Sequence, residues 1–292
     1  MKFESANDAM KSLAHVVLTQ GKPSAPRGSG TLEVLGANFI ISNPTARIIT
    51  LPSRKFSLPL AIGELAWHLR GDDQVDALAY YAEAWRNFTD DGLHVSGSCY
   101  GRKLISVDSS GSSPWQRLVN LLHHDPFTRR ATFGFITNEE DVEGSKDISC
   151  VSSIQFLVRE NRLSLFTFMR SNDLFLGLPY DVFLFSYLQE LMALELGLEM
   201  GEYHHYATSL HIYDQHRAAC QRIAEDIPVG EGRSPRAGSK ADFLQLAELE
   251  AAIRSGASIG PYNGPFNSYI DELLALRKRK DAKLASSGIS TN

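Results

Sequence analysis

The stretch of sequence that decides the fold is SIQFLVRENRLSLFTFM, residues 153–169. Its two halves, 153–158 and 163–169, are rich in β-branched and aromatic residues and are separated by the polar RENR, which predicts a β-hairpin. Outward from it, residues 60–69 (LAIGELAWHL) and 181–196 (DVFLFSYLQELMALEL) have the apolar spacing of buried helices. Residues 32–41 (LEVLGANFII) predict a further pair of strands. Because strands and helices do not alternate regularly, the fold class is α+β.

The domain organisation is predicted to be one catalytic domain, residues 1–227, followed by an extension, residues 228–292. Residues 228–240 (PVGEGRSPRAGSK) indicate a loop or linker, since Gly, Pro and charged residues dominate. Residues 242–255 (DFLQLAELEAAIRS) have helical spacing and are expected to pack on the main body. From residue 277 the chain predicts a solvated helix end that frays.

Composition excludes several classes of protein. The chain has 292 residues, 29 Lys plus Arg and 34 Asp plus Glu, so its net charge of −5 argues against general binding of nucleic acid. No apolar run is long enough to cross a membrane, and we expect a soluble cytoplasmic protein. The three cysteines have no metal-like spacing, so neither a disulfide framework nor a metal site is expected.

Cys150 is a candidate nucleophile. It precedes the first strand of the predicted hairpin, in a part of the chain that also carries Arg129, Arg130 and Arg170. Nearby cations lower the pKa of a thiol and raise the reactive thiolate fraction. Before any resemblance is considered, however, the sequence favours a small, buried core side chain for Cys150 over a nucleophile. The Arg129–Arg130 pair could form a phosphate fork or lie on a solvated surface.

Two further segments carry polar residues that a binding site could use. In RSNDLFLGLPYD, residues 170–181, Arg170, Ser171 and Asp173 precede a turn at Gly177. Asp181 then opens a helix, where an N-cap role alone would explain it. In LHIY, residues 210–213, a histidine and a tyrosine are two residues apart, so in a strand they face the same side. Both side chains could therefore hydrogen-bond to the same hydroxyl group of a ligand.

Together these segments resemble the thymidylate synthases and the related nucleotide hydroxymethylases. The matching motifs follow in order from about residue 27 to residue 216 and are GELAWHLRGD (63–72), SGSCYG (96–101), HDPFTRR (124–130), Cys150 with Gln155 five residues on, RSNDLFLGLPYD (170–181) and LHIY (210–213). The resemblance implies a thymidylate synthase-like α+β homodimer whose mixed sheets pack face to face. It also implies 5,10-methylenetetrahydrofolate as the cofactor.

The resemblance assigns a role to each of these residues. Cys150 would be the thiolate that adds to pyrimidine C6, Glu64 the general acid/base, and Tyr100 would assist in removing the C5 proton. The nucleotide would be bound by Arg27, Arg170, Ser171, Gln155, Asp181, His211 and Tyr213, with Arg129 and Arg130 donated from the partner subunit. Asp173, Gly177, Ala82 and Trp85 would lie on the folate side. The arginines would keep Cys150 ionised.

Three departures from the synthase pattern point to another product. Asp181 replaces the asparagine that reads uracil, and a carboxyl can accept from cytosine N4 and share a proton with N3. Ala82 stands where the first of two tryptophans would help exclude water, so hydration of the exocyclic methylene becomes possible. The chain ends in SSGISTN rather than a short apolar lid. Val151 also replaces a histidine that synthases commonly have, with no consequence that we can derive.

The sequence therefore predicts a cytidylate 5-hydroxymethyltransferase, with dCMP preferred over CMP as substrate. A dCMP 5-methyltransferase and a thymidylate synthase remain alternatives, since both use the same folate and release dihydrofolate. A non-catalytic nucleotide-binding relative is a more remote alternative. Cys99 and Cys220 are expected to be structural.

Overall fold

A single mixed sheet forms the centre of the molecule. The computed structural model describes residues 1–136 and 144–286. The sheet order is β1-β3-β8-β6-β5-β4, with β2 pairing to β3 and β7 to β8. The strands are β1 Lys2–Phe3, β2 Lys22–Ser24, β3 Thr31–Ile41, β4 Thr132–Gly134, β5 Val151–Arg159, β6 Arg162–Met169, β7 Asn172–Asp173 and β8 Glu199–Tyr213.

Helices cover one face of the sheet and its ends. They are α1 Ala6–Gln20, α2 Leu58–Leu69, α3 Val75–Ala79, α4 Tyr100–Ile105, α5 Pro114–His124, α6 Leu178–Leu196, α7 Arg217–Glu225, α8 Lys240–Ser255 and α9 Asn267–Ser286. The α+β class is thereby confirmed. No helix in the described ranges is long and apolar enough to cross a membrane.

The predicted hairpin is present as β5 and β6. The strands pair antiparallel from Val151↔Met169 to Arg159↔Arg162. Glu160 and Asn161 close the turn at φ 51° and 58°. A two-residue turn with positive φ matches the right-handed twist of the paired strands. The prediction of a strand pair over 32–41 is wrong. That segment is one strand, β3, and Gly36 at φ 70° interrupts its pairing with β8 rather than reversing the chain.

Both predicted buried helices are confirmed. In α6 almost every side chain after Tyr180 is buried, up to Ala193, and the helix ends at Gly197 with φ 67°. An αL glycine satisfies the last helical carbonyls without a Cβ clash. The other helix, α2, is capped at its N-terminus by Ser57, whose Oγ accepts from Leu60 N at 3.4 Å. These two helices form opposite walls of the cavity described below.

The C-terminal extension packs on the main body, residues 1–227. Residues 228–239 form a loop, as predicted, but this loop is fastened to residues 45–50. Ile48 N donates to Gly232 O and Ser234 N to Thr45 O. Helix α8 packs against α2 and α6. The helix α9 continues past residue 277 to Ser286, and Arg277 Nη1 donates to Ile253 O at 3.0 Å, so the expected fraying does not begin there. All but the first residue of the tail SSGISTN lies outside the described residues.

Candidate active site

The candidate site is a cavity of about 210 Å³ between α2 and the start of α6. Glu64 and His68 lie one turn apart on the same face of α2 and both line the cavity. Its other lining residues come mainly from the segment before α4 and from the α6 region: Leu60, Trp85, Ser98, Tyr100, Leu176, Gly177, Tyr180, Asp181 and Leu184. Four of the predicted site residues are thereby brought together with Glu64.

Glu64 is positioned by a close contact on its own helix. A Cβ on Gly63 would lie 2.2 Å from the Tyr81 ring, so only glycine allows the segment after α3 to approach α2. That segment carries Trp85, which lines the cavity together with Glu64. Burial and the nearby Asp181 raise the pKa of Glu64 to about 8, against the smaller opposing effects of Trp85 and Arg54. Glu64 is therefore protonated at neutral pH and can donate a proton.

Asp181 faces Glu64 across the cavity. The N-cap of α6 is Gly177, so Asp181 is not the cap that the sequence alone allowed. Its Oδ2 instead accepts from Asn172 Nδ2 at 2.7 Å. Burial raises the pKa of Asp181 to about 7, with the Asn172 hydrogen bond opposing and Asp173 adding to the shift. Near neutral pH this carboxyl is divided between its acid and its carboxylate forms.

Cys150 lies directly before β5, beside Arg170. The Arg170 guanidinium is 4.0 Å from the Cys150 Sγ, and it is held there by hydrogen bonds to Ser149 O and Ile148 O, both at 2.8 Å. Burial nonetheless raises the pKa of the Cys150 thiol; Arg170 and Arg27 oppose this, while Asp181 and Asp147 add to it. Within one chain desolvation therefore outweighs Arg170 and Arg27, and the ionisation of the thiol by the full set of arginines, two of them expected from a partner subunit, stays a prediction.

Tyr100 is brought to the cavity by a loop anchored on the segment before Cys150. Asp147 accepts from Gly97 N at 2.7 Å and from Ser98 N at 2.8 Å, and Ser98 Oγ donates to it at 2.6 Å. The Tyr100 ring stacks on His68 with centroids 5.5 Å apart. Burial raises the pKa of Tyr100 well above 10, so its phenol keeps its proton.

His68 was not singled out by the sequence. Its Nδ1 accepts from Gly101 N at 3.0 Å, and burial lowers the pKa of His68 to about 3. The imidazole is therefore neutral, and its proton is on Nε2. The signal for His68 was its spacing of four residues from Glu64, which places both on one helix face.

Asp173 and His211 lie on neighbouring strands beside the cavity. They are register partners in β7 and β8. Asp173 Oδ1 accepts from Phe175 N at 2.7 Å and from Leu176 N at 3.0 Å, whereas its buried Oδ2 has no partner among the described residues. The rings of His211 and Tyr213 have centroids 5.3 Å apart, which agrees with their predicted placement on one face of a strand.

Comparison with known proteins decides the family. The family model for thymidylate synthase matches residues 9–231. This chain belongs to the thymidylate synthase family. A thymidylate synthase of Bacillus licheniformis is 33% identical over 195 residues, which cover 64% of this chain and 67% of the relative. A deoxyuridylate hydroxymethyltransferase of Bacillus phage SP01 is 30% identical over 280 residues, covering 88% of this chain and 70% of the relative.

Membership of the thymidylate synthase family establishes the reaction class. The protein is a one-carbon transferase, and the family uses 5,10-methylenetetrahydrofolate as its one-carbon donor. The family binds nucleotide and is generally homodimeric. The orphaned Oδ2 of Asp173 fits this cofactor, since a buried acceptor without a partner can receive an N–H of the pterin ring.

Other predicted site residues of this family member lie away from the cavity within one chain. Arg129 and Arg130 are exposed in the loop before β4, and the Arg129 carbonyl accepts from Gln155 Nε2 at 2.8 Å. Arg27 is exposed, with φ 51°. Ser171 is half-buried beside Asn172. Ala82 does not line the cavity but begins the 3₁₀ turn 83–88 that carries Trp85.

Arg54 is a second residue that the sequence did not identify. It is 5% exposed, and its guanidinium lies over the rings of Phe175 at 5.0 Å and Tyr180 at 5.2 Å. Its Nη2 donates to Leu176 O at 3.4 Å, and its Nε has no partner among the described residues. In the sequence PSRKF an arginine is typical of a surface turn, and only the tertiary structure shows its burial.

The other two thiols, which the sequence predicts to be structural, do not line the cavity. Cys99 and Cys220 are both buried, and Cys99 Sγ donates to Ser96 O at 3.1 Å. Burial raises the pKa of Cys99 to about 11 and that of Cys220 to about 12. Thiols with such pKa values are protonated and unreactive at neutral pH.

Proposed function

We propose that the protein is a (deoxy)cytidylate 5-hydroxymethyltransferase. The nucleotide, 5,10-methylenetetrahydrofolate and water would give the 5-hydroxymethyl nucleotide and tetrahydrofolate, with dCMP preferred over CMP. The single observation that carries this proposal is Asp181, a cavity carboxyl with a pKa of about 7 at the position where synthases have asparagine.

The hydrogen-bonding capacity of Asp181 supports cytosine as the base. Cytosine presents an amino donor at N4 and a proton acceptor at N3. A protonated carboxyl can donate to N3 through one oxygen and accept from N4 through the other. The raised pKa makes that protonated form available near neutral pH.

Covalent activation of the ring is assigned to Cys150. Its thiolate would add at C6, which makes C5 nucleophilic. Arg170, 4.0 Å from Sγ, favours the thiolate, but in one chain burial keeps the thiol pKa raised. We infer that Arg129 and Arg130, exposed on the same chain, cross the dimer interface and complete the phosphate site with Arg27, Arg170 and Ser171. His211 and Tyr213 would hold the ribose hydroxyl.

The dimer interface would be the sheet face opposite the helices. On this face Phe166 stacks on His204 with centroids 4.1 Å apart, and Phe168 stacks on Tyr206 with centroids 5.0 Å apart. The Tyr206 side chain is 40% exposed in the single chain. Aromatic side chains left exposed on a sheet face are typical of a surface that packs against another protein.

Glu64 and Tyr100 would move protons. Both hold a proton at neutral pH, since burial raises the pKa of each. Glu64 would act as the general acid/base for the pyrimidine and the folate through ordered water, and Tyr100 would assist the loss of the C5 proton. Neutral His68 would donate from Nε2 to the same water.

Asp173, Gly177, Trp85 and Arg54 would hold the folate. When bound, methylenetetrahydrofolate supplies the one-carbon unit at the oxidation level of formaldehyde, so addition of water yields a hydroxymethyl group without any change in the folate's oxidation state. Ala82, the small residue at the start of the turn that carries Trp85, leaves more room for that water than an indole would.

A second candidate is a deoxyuridylate 5-hydroxymethyltransferase. The relative from Bacillus phage SP01 bears that name, and the match covers 88% of this chain. A neutral carboxyl can also donate to uracil O4 and accept from N3–H. Asp181 in its protonated form is therefore compatible with uracil, whereas its ionised form is not.

Product analysis tests the proposal. The enzyme and methylenetetrahydrofolate are incubated separately with CMP, dCMP, UMP and dUMP. Mass spectrometry gives the masses of the nucleotide products, and absorbance measures the formation of dihydrofolate. We expect a mass gain of one CH₂O unit, largest with dCMP, and no dihydrofolate. A gain of one CH₂ unit with stoichiometric dihydrofolate would show reductive methylation instead, and turnover confined to dUMP would favour the second candidate.

The Asp181→Asn variant is the matched test of base recognition. Its amide lacks the acidic proton but keeps the shape, so we expect preference to shift from cytidylate towards uridylate. An unchanged preference would contradict the role of Asp181. A Cys150 adduct with a 5-fluoropyrimidine nucleotide and the folate would exclude a non-catalytic relative.

A further inference from the structure

Behind Asp181 a chain of buried polar side chains runs away from the cavity. Asp181 Oδ2 is 2.7 Å from Asn172 Nδ2, Asn172 Oδ1 is 3.0 Å from His205 Nε2, and His205 Nδ1 is 2.9 Å from the Tyr203 hydroxyl. Tyr203 and His205 are fully buried, and Asn172 is 3% exposed. All three distances are hydrogen-bonding distances. Burying such polar groups costs folding free energy unless each donor faces an acceptor.

The direction of each hydrogen bond follows from chemistry. An ionised Asp181 can only accept, so Asn172 presents its NH₂ to Asp181 and its carbonyl to His205. The carbonyl needs a donor, which places the His205 proton on Nε2. Burial lowers the pKa of His205 to about 3, so its Nδ1 carries no proton and accepts from Tyr203. Each hydrogen bond in this series of side chains is therefore donated in the direction of Asp181.

The fold fixes the positions of these hydrogen-bonded side chains. Tyr203 and His205 stand two residues apart on β8 and face the same side of the sheet. The imidazole of His205 stacks on Phe39 of β3 with centroids 4.8 Å apart and 20° between the planes. Asn172 is placed by β7, which pairs with β8. No link of the chain lies on a free loop, so the amide plane of Asn172 is fixed.

We propose that Asn172, His205 and Tyr203 are positioning residues that fix the rotation of the Asp181 carboxyl, so that its Oδ1 faces the base and carries the exchangeable proton. This inference rests on the proposed function, in which Asp181 reads the pyrimidine. Because Asn172 occupies one lone pair of Oδ2, protonation is directed to Oδ1. These hydrogen-bonded side chains thereby determine which pyrimidine edge the Asp181 carboxyl pairs with, and over which pH range it carries the proton for that pairing.

The surroundings of Asp181 leave Asn172 as its main stabilising partner in the ionised form. The titratable groups that face it are Glu64 from α2, Tyr100 from α4, Cys150 before β5, Asp173 from β7 and Tyr203 and His205 from β8. None of these is a cation at neutral pH. Burial and Asp173 disfavour the carboxylate, and the Asn172 hydrogen bond favours it. Loss of the amide donor therefore raises the pKa of Asp181 further.

The test uses Asn172→Ala and His205→Leu in the full chain. The profile of kcat/KM against pH is measured with whichever pyrimidine nucleotide the wild type turns over, and so is the ratio of cytidylate to uridylate turnover. For Asn172→Ala we expect the limb assigned to Asp181 to move up by about one pH unit, since a hydrogen bond to a charged group contributes about 1.5–3 kcal/mol. The base preference should change about tenfold. His205→Leu should shift both in the same direction by less.

The double variant and a matched control separate positioning from stability. Since His205 acts through Asn172, the double variant should shift the profile no more than Asn172→Ala alone. Tyr203→Phe removes the last hydroxyl of the chain, and Tyr187→Phe removes another buried hydroxyl, which contacts Tyr269 at 2.8 Å. Both should lower the melting temperature, but only Tyr203→Phe should move the pH profile.

Two outcomes would overturn the inference. One is a folded Asn172→Ala enzyme with an unchanged pH profile and base preference. The other, if Asn172→Ala does not fold, is an unchanged profile in folded Tyr203→Phe and His205→Leu. Failure of the proposed function looks different: the wild type would then release dihydrofolate or reject cytidylate, while the pH shift would still be measurable on the nucleotide that it accepts.

Discussion

Two sets of carboxyl groups in this protein are buried, and they differ in whether a cation pairs with them. The cavity carboxyls, Glu64 and Asp181, form no ion pair among the described residues, and both have strongly raised pKa values. The core carboxylates, Glu190 and Glu250, are fully buried and are each paired with arginine.

The core carboxylates join the C-terminal extension to the catalytic body. Glu190 pairs with the equally buried Arg47 and accepts from Ala237 N at 3.0 Å, which fastens the loop before α8. Glu250 on α8 accepts from Arg70 at 2.6 Å, from Arg254 at 2.8 Å and from the Tyr81 hydroxyl at 2.6 Å. Through Tyr81, which lies against Gly63, the extension also supports the helix that carries Glu64.

This difference distinguishes carboxylates that stabilise the fold from carboxyl groups suited to catalysis. A buried carboxylate is costly unless cations and hydrogen bonds offset its lost hydration, and the core carboxylates have both. Within residues 1–136 and 144–286 the cavity carboxyls form no ion pair, and burial raises their pKa values, which favours their neutral forms. Such unpaired, perturbed groups in a cavity are typical of catalytic sites.

The largest effect should follow from Glu64→Gln, which keeps the shape of the side chain but removes its acidic proton. Turnover should fall about 10²–10⁴-fold, the usual contribution of a general acid/base. Stability at pH 8 should be equal to or higher than that of the wild type, because an uncompensated acid has been made permanently neutral. Steady-state kinetics and thermal melting measure the two effects.

A matched control is available on the same helix. Leu60→Met, one turn before Glu64 and also lining the cavity, changes shape without changing charge, so its effect on turnover should be small. Loss of activity in Glu64→Gln together with a lowered melting temperature would mean that Glu64 is a structural residue like Glu250, and would remove the contrast between the two sets.

Sequence reasoning could find what local patterns encode. Apolar periodicity predicted α2, α6 and the hairpin, and the family motifs pointed to Cys150, Glu64, Tyr100 and Asp181. It could not find the pairing of Asn172 with His205, because this hydrogen bond joins positions 33 residues apart that only the folded sheet brings together. Arg54 was missed for the same reason. The sequence predicts two strands over residues 32–41, and only the register with β8 shows that β3 is one continuous strand.

A somewhat smaller effect, and on a different property, is expected from Arg47→Met. This substitution leaves Glu190 buried without its cation, which typically costs about 3–5 kcal/mol of folding free energy. The double variant Arg47→Met, Glu190→Gln should recover part of that loss, since no charge remains unpaired. In chemical denaturation a loss below about 1 kcal/mol for Arg47→Met would contradict the assignment of Glu190 as a cation-dependent core carboxylate. The folded variant should keep its pH profile of turnover.

The smallest effect concerns stability between pH 6.5 and 8. Glu64 and Asp181 have folded-state pKa values of about 8 and about 7, above their ordinary values of 4.5 and 3.8, so the folded state holds protons that the unfolded state has released. Their stabilising contribution is complete below the ordinary values and is lost as pH rises through the raised ones. His68 and His205, with pKa values lowered from 6.5 to about 3, act in the opposite direction but only below about pH 6.5.

Above pH 6.5 the cavity carboxyls therefore dominate this balance. Each retained proton corresponds to about 1.4 kcal/mol per pH unit, so the wild type should lose about 1–2 kcal/mol between pH 6.5 and 8 relative to Glu64→Gln. Denaturation of both proteins across that range measures the difference, and Glu248→Gln, an exposed acid on α8, controls for the change in net charge. Parallel curves for Glu64→Gln and the wild type would mean that Glu64 is ionised in the folded protein, and its role as a proton donor at neutral pH would then fail.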